Sequence, residues 1–500
     1  MEFDRTPKTI VGTTPRHPCG RHVFAAPARL TARLPAGLLA VATAFAAVAT
    51  STVVPASAAT VAPWGTPVTI STPRGAVGPV GITGTNTSSV AWWRWQDGAH
   101  PGAAFGAAFA ARPAGAQAFG LERSRTSGSR TSEELISLDI QGYGAKRLIA
   151  LSQVLGRGPV REGRANPPDR VLVATGTTAG LRTPITLARA NLVGTAQLAM
   201  ASSGRGIVAF ASFDPKIPHR AIVSAAIRSP SHQFSKPEVI SGRGEAHGVV
   251  VAIGRRGDIV VAFVRNKEVM ARVRRPGHGW GAIQTLATAN GPTQWTLRTA
   301  VSDAGSVQVL WQRRFVSDRE DGSALQARRM APGASRWGAR ITIEAGGANA
   351  PSSLVSVPGG FAVGYTVRST VPGSRSTARV SLLKPRASTK LDVAPALGGV
   401  RDVRLARSDR HGLLATMVMS PPAGDSVGVG VGAFLAPGAS GFGPIERVTS
   451  ADDVQEVVPG FARDGDPLVV WSAPPDGSDP GIPIDSVRRV VRTSTRRAER

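Results

Sequence analysis

An all-β fold assembled from one repeated unit is predicted by three observations. Short valine-rich runs recur along the chain, each closed by glycine, proline or charge; 57 glycines and 38 prolines supply the turns that many strands need; and no stretch carries a long helical heptad pattern. The cleanest copy of the unit spans residues 247–289. It reads as four apolar runs, 249–253, 259–264, 269–273 and 283–286, which predict four β-strands in series. Its second join is Arg265-Asn266-Lys267-Glu268 and its third is Pro276-Gly277-His278-Gly279-Trp280-Gly281, both rich in turn-forming residues.

Sliding this unit along the chain finds seven contiguous copies and one split copy. The first begins near Val77, with residues 89–95 and 106–110 as its second and third strands and Phe119-Gly120 opening its fourth. The next is looser, with runs at 135–140, 147–154, 171–175 and 185–187 and a long polar insertion between the middle two. The third copy uses 196–201, 207–213, 221–227 and 239–240, and the type copy at 247 follows it. The fifth uses 297–301, 307–311, 325–330 and 341–343, and the seventh 403–406, 413–419, 427–434 and 445–448. The sixth, at 354–357, 361–367, 378–383 and 391–393, lacks the aromatic-glycine pair that Trp280-Gly281, Trp337-Gly338 and Phe442-Gly443 place before the fourth strand of other copies. An aromatic ring entering the outermost strand is expected to fill the wedge between neighbouring units.

The last copy runs through 454–458, 468–471 and 487–491 and stops one strand short. The pattern Trp64-Gly65-Thr66-Pro67-Val68-Thr69-Ile70 repeats that of residues 280–286, so an N-terminal strand is expected to join three C-terminal ones and leave no open sheet edge between the termini. Four-stranded units closed in this way make a β-propeller. Eight blades is the count, with seven the alternative because the copy at 135–190 is degenerate. The chain here resembles the bacterial secreted β-propeller repeat proteins, through Asp303-Ala304-Gly305, Trp311, Ala327-Arg328, Pro332-Gly333 and Trp337-Gly338. The resemblance spans residues 59–497, read as a single domain, and implies a fold that hosts many functions.

Residues 1–58 read as an export signal. Arg21, Arg29 and Arg33 precede an apolar segment from Leu38 through Val48, and Ala56-x-Ala58 supplies a small-residue cleavage pattern. The mature protein is then secreted, begins near Ala59 and keeps no transmembrane anchor. Cys19, the one cysteine, leaves with the signal, which removes disulfides, cysteine metal sites and thiol catalysis together. No cofactor and no metal are expected: no two histidines of the mature chain stand at ligand spacing, and Gly428, Gly430 and Gly432 are not followed by the Lys-Ser/Thr of a phosphate loop.

The formal charge is +26; the first 58 residues hold six Lys or Arg against two Asp or Glu, so +22 remains without them. Such a surface is drawn to anionic partners, among them cell-surface polymers, polysaccharides and proteins. The run Arg488-Arg489, Arg492, Arg496-Arg497 and Arg500 lacks the stacking aromatics of a nucleic-acid motif and reads as a strand with a solvated tail. A monomer is expected.

In a four-stranded blade the joins after strands one and three share one face, and those after strands two and four share the other. The two-to-three joins differ most in length and charge between copies, which is where function is expected on a constant scaffold. The candidate ligand-binding residues there are Asp214 and His219 in the third copy and Arg313, Arg314, Arg319, Glu320 and Asp321 in the fifth. No catalytic residue is assigned. Arginines and carboxylates from different blades would suit an anionic ligand or a glycoside cleft. The expected function is a secreted, non-catalytic binding or scaffold module for an anionic or glycan-bearing partner. The alternative is a sialidase-like glycoside hydrolase using carboxylates on the same joins. Against it, residues 302–307 keep only part of an S-x-D-x-G-x-T-W box, and Tyr143 and Tyr365 are the sole tyrosines, the latter inside a second strand.

Overall fold

The computed structural model describes Trp64, residues 67–69, six strand segments between Gly81 and Gly156, and residues 168–496 apart from 178–179, 215–216, 231–232, 243, 289–292, 316–322, 348–350, 352, 369–375, 386, 395–398, 421–427, 450–453, 455, 462–465 and 474–489. The export-signal reading of residues 1–58 lies outside these. Among the described residues there are 33 strands in eight antiparallel sheets. Strand β1 (Val68–Thr69) pairs far downstream. The first sheet is β2 (Gly81–Thr83), β3 (Ser88–Trp95), β4 (Phe105–Arg112) and β5 (Arg123–Thr126). The second is β6 (Glu133–Tyr143), β7 (Arg147–Gly156), β8 (Asp169–Thr177) and β10 (Ile185–Ala190), with β9 (Gly180–Leu181) a fifth strand folded back on β8.

The third sheet comprises β11 (Gln197–Met200), β12 (Gly206–Asp214), β13 (Ile217–Arg228) and β14 (Glu238–Val239). The fourth comprises β15 (Ala246–Ile253), β16 (Ile259–Arg265), β17 (Glu268–Arg274) and β18 (Gln284–Thr288), and the fifth β19 (Thr293–Val301), β20 (Val307–Phe315), β21 (Ala324–Met330) and β22 (Ile341–Glu344). The sixth holds β23 (Ser353–Val357), β24 (Gly360–Val367), β25 (Thr377–Leu383) and β26 (Ser388–Ala394), and the seventh β27 (Gly399–Ser408), β28 (Gly412–Ser420), β29 (Val429–Leu435) and β30 (Glu446–Arg447). In the eighth, β31 (Val457–Phe461), β32 (Pro467–Ala473) and β33 (Val490–Thr495) are completed by β1, with Val68 opposite Thr493 and Thr69 opposite Arg492.

The first strand of each sheet lies against the first strand of the next. The series is β2 with β6, β6 with β11, then β15, β19, β23, β27 and β31, and β31 returns to β2. The arrangement is propeller-like, and it explains why second strands appear in the sequence as unbroken apolar runs. In β16, Ile259, Val261 and Phe263 face the third sheet while Val260, Ala262 and Val264 face the fifth, so alternate side chains of one strand enter two different cores. Several fourth strands are short, two residues each in β14 and β30, and β14 carries the exposed Glu238 and Val239, which limits pairing at that outer edge. Between the second and third strands of the fourth sheet, Asn266 (φ 48°) and Lys267 (φ 70°) form a two-residue hairpin turn with both residues left-handed, matching the twist of the flanking strands.

The aromatic-glycine residues occupy the wedges in a consistent sense. Trp280 packs on the core shared by the third and fourth sheets, Trp337 on that of the fourth and fifth, Phe442 on that of the sixth and seventh, and Trp64 on that of the seventh and eighth. Each ring therefore wedges its own sheet against the preceding one. Trp64 lies 6.1 Å from Phe434, centroid to centroid, in a stacked arrangement.

Arginine supplies a second kind of inter-sheet contact. Arg275, on the join between β17 and β18, donates to Asp258 at 2.8 Å within its own sheet and to the carbonyls of Gly305 (2.8 Å), Ala331 (3.2 Å) and Ala334 (3.0 Å) in the fifth sheet. Gly305 sits at φ +85°, and a Cβ there would come within 2.7 Å of the Asp258 carboxylate, so both the turn and the clamp require glycine. Arg265 and Arg272 reach back to the carbonyls of Ser241 and Ile240 in the third sheet. Arg496 donates to Glu446 at 2.8 Å and lies over Phe434 at 5.4 Å, with only 2% of its surface exposed. This corrects the reading of Arg496 as part of a solvated tail. The apolar run 487–491 lies outside the described residues up to 489; from Val490 strand β33 extends beyond it to Thr495, with the buried Ser494 opposite Val469 of β32.

Candidate functional site

The inner strands surround a cavity of about 660 Å³, lined by Gln141 of β6, residues 198–200 of β11, 251–253 of β15, 299–301 of β19, 354–356 of β23 and Arg407 of β27, with Asp303 and Asp409 at its rim. These residues stand where the first strands end. The cavity therefore opens on the face carrying the one-to-two joins, opposite to the face where the sequence placed its candidates.

Arg407 organises this mouth. One terminal nitrogen, Nη1, donates to the Ser356 carbonyl at 3.1 Å and lies 3.7 Å from Asp303, while Nη2 pairs with Asp409. One side chain thus ties the fifth, sixth and seventh sheets. Asp303 and Asp409 are 57% and 82% exposed, so their pairing with Arg407 leaves both carboxylates open to water. Gln141 donates to Asp139 at 3.3 Å, and the hydroxyl of Thr299 is buried without a hydrogen-bond partner among the described residues.

Deeper in, Arg404 of β27 donates to Asp402 at 2.6 Å and to Glu456, just before β31, at 2.9 Å. Burial works against the Arg404 charge, but Glu456 and Asp402 outweigh it and hold its guanidinium above the ordinary value. Arg298 of β19 lies in the same field: burial pushes its pKa down, Asp402 opposes this and Arg404 adds to it. Asp402 adopts φ 57° at a bulge where the β27–β28 register shifts between Arg401 and Arg404, which lets it reach its neighbour's guanidinium two residues on. Three arginines, Arg298, Arg404 and Arg407, therefore stand on first strands, and the last two are answered by carboxylates of the same chain. The sequence reading passed over them because they sit inside apolar runs. Charge recurring within a first strand, as in Arg401-Asp402-Val403-Arg404-Leu405-Ala406-Arg407, is the signal that marks them.

The sequence candidates fall elsewhere. Asp214 and His219 are strand residues instead of join residues, because the β12–β13 ladder continues past Phe213 through an Asp214–Ile217 pair. Phe213 and Ile217 at this hairpin end are 40% and 45% exposed. Arg313 and Arg314 are also within a strand, β20, where Arg313 is half-buried opposite Trp295 and Ala324. Arg319, Glu320 and Asp321 lie outside the described residues. The third and fifth sheets, which carry these two groups, are separated by the fourth.

A tyrosine beside a glutamate does occur, between the fifth and sixth sheets. The Tyr365 hydroxyl is 2.9 Å from Ser381 Oγ and 3.3 Å from Glu344, which also accepts from Arg379 (2.9 Å) and Lys390 (3.1 Å). Burial favours protonation of Glu344, but hydrogen bonds and charge from Lys390 and Arg379 prevail and hold it below the usual carboxylate range. Burial, partly opposed by the Ser381 hydrogen bond, pushes Tyr365 up to about 12. A nucleophilic tyrosine needs the opposite shift, and Tyr365 is fully buried. In a Tyr143→Phe background the one remaining tyrosine is expected to ionise near 12, and not near 10, when the phenolate absorbance is followed. Because the folded value is raised, the stability that Tyr365 confers is complete below the unfolded value of 10.0 and is lost as pH rises through about 12. Tyr365→Phe should remove that part of the alkaline transition.

The chain matches no family model and no curated protein. Among solved structures it resembles a prolyl endopeptidase (13% identity, TM-score 0.41, 79% of this chain and 53% of that one) and an acylaminoacyl peptidase from Pyrococcus horikoshii (8%, 0.40, 80% and 58%). It also resembles the intramolecular trans-sialidase from Ruminococcus gnavus in complex with oseltamivir carboxylate (10%, 0.38, 70% and 90%). The chain spans about half the length of the prolyl endopeptidase. Among the described residues no helix is long and apolar enough to cross a membrane.

Proposed function

We propose that this chain is a secreted, non-catalytic binding module for an anionic or glycan-bearing partner, built as an eight-bladed propeller closed by its N-terminal strand. Closure is supported by the pairing of β1 with β33 and by the return contact of β31 on β2. The observation that carries the binding reading is how the acidic groups are used. Asp258, Glu344, Asp392, Asp402, Glu446 and Glu456 are each engaged by arginine between or within sheets, as are Asp303 and Asp409 at the rim. Pairing engages Asp258, Glu344, Asp402, Glu446 and Glu456 structurally and leaves Asp303 and Asp409 beside an arginine but open to water, while the formal excess of +22 stays on the protein.

The test incubates the chain lacking residues 1–58 with an array of neutral and anionic glycans and cell-wall polymers at low and moderate salt, scoring retention and product release together. Retention on anionic polymers that fades with salt and leaves them intact is the expected result. Released sugar would overturn the non-catalytic reading and move attention to the glycoside-active alternative. No retention on any polymer would overturn anion recognition.

A further inference from the structure

A second cavity of about 730 Å³ lies between the fifth and sixth sheets, on the same face as the channel mouth. Its walls are the one-to-two and three-to-four joins of the fifth sheet and the three-to-four join of the sixth. Three cations line it, Arg329, Arg336 and Lys384, and among its described lining residues there is no carboxylate. This sets it apart from the channel, where Arg404 and Arg407 meet acids of their own chain.

Its interior is of mixed character. Trp337, Pro332, Ile341, Leu383 and Pro385 give apolar wall. Ser306 and Gln308 also line it, both 1% exposed. The Gln308 amide donates to the Arg328 carbonyl at 3.1 Å, which orients its oxygen as the acceptor left over, and Ser306 accepts from Arg329 Nη2 at 3.1 Å, which leaves its own hydroxyl proton to donate. Arg329 is held over the Phe361 ring at 5.3 Å, its Nη1 is buried with no acceptor among the described residues, and burial lowers its pKa. A guanidinium at the base of the groove adds positive potential there, which favours a bound anion. A compact anion alone would leave the apolar wall and the buried hydroxyl and amide unused, and a plain apolar ligand would leave three cations unanswered. A hydroxylated ring bearing a carboxylate meets all three requirements at once, and the cavity is within the size range of pockets that enclose such molecules.

We infer that this inter-sheet groove binds an acidic sugar, a short uronate-containing stretch of polysaccharide, with Arg336 and Lys384 meeting carboxylates at its rim and the charge of Arg329 beneath it drawing the acidic ring inward. This rests on the proposed recognition of anionic glycans and assigns it a place. The probe is a short oligogalacturonate, with its carboxyl-reduced neutral counterpart and a sulfated glucan of similar length as comparisons, measured by calorimetry with the chain lacking residues 1–58. Arg336 and Lys384 belong to exposed turn segments, so the double variant Arg336→Ala/Lys384→Ala should unfold at the wild-type temperature. A charge-matched control, Lys236→Ala/Arg255→Ala, removes two exposed cations from other sheets.

Expected are a Kd for oligogalacturonate weakened at least tenfold in the groove variant, a change under twofold in the control, and binding of the reduced oligomer at least tenfold weaker than that of the acidic one. Equal loss in the two double variants, or none in either, would overturn the groove while leaving general anion binding intact. Equal affinity for the sulfated glucan would overturn the carboxylate assignment. No binding of any anionic probe by the wild-type chain would remove the underlying reading and this inference with it.

Discussion

Removal of residues 59–72 is expected to cost this protein at least about 2–3 kcal/mol and to make it associate through its last sheet. That figure comes from Trp64 alone, which is half-buried against the core between the seventh and eighth sheets and stacked on Phe434; truncating a fully buried tryptophan costs about 3–5 kcal/mol, and partial burial brings the value down. Association follows from β33, because without β1 the residues of Val490–Thr495 present an unpaired backbone edge to solvent. Denaturant unfolding and light scattering measure the two effects separately. Trp64→Ala in the intact chain should reproduce the first without the second, since β1 still covers the edge. A synthetic peptide of residues 60–72 added to the truncated chain should restore the unfolding midpoint and suppress scattering by strand addition. A truncated chain with an unchanged midpoint and no scattering would mean that the ring is not closed by this strand.

Arg275→Ala should destabilise the fold by about 2–4 kcal/mol. Breaking a fully buried ion pair typically costs about 3–5 kcal/mol, because the surviving charge is left without compensation. Asp258 is 5% exposed and would be in that position, whereas Arg275 retains 19% side-chain exposure, which brings the figure down. Three carbonyls of the fifth sheet also lose their donor. Adding Asp258→Asn to Arg275→Ala should recover part of the loss, since the stranded charge is gone; a double variant no better than the single would assign the effect to the carbonyl contacts instead. An unchanged unfolding midpoint in Arg275→Ala would show that the apolar wedge formed by Trp311, Val309, Leu297 and their neighbours carries this boundary unaided.

The all-β class, the repeat and nearly every strand were legible in the sequence because each rests on a local cause. Glycine and proline mark turns wherever they occur, and an unbroken apolar run such as 259–264 records a strand buried on both faces whichever sheets cover it. The partner of β1 was legible for a related reason: Trp64 to Ile70 repeats a unit whose place in the sheet is known from other copies.

The candidate site was not legible in the same way. The two-to-three joins vary most between copies, yet Asp214 and His219 are strand residues, since ladder hydrogen bonds extend a hairpin as far as both strands can pair, regardless of polarity. The channel arginines were hidden within apolar strands, where composition reads as core. Whether Arg404 meets solvent, another cation or a carboxylate depends on Glu456, 52 residues downstream. Local sequence determined where this chain turns and which runs are buried, because backbone angles and hydrophobicity act over a few residues. Tertiary structure alone decided which charges are neutralised and which, like Arg336 and Lys384, line a groove with no acid among its described residues, because electrostatic pairing is set by distance in space.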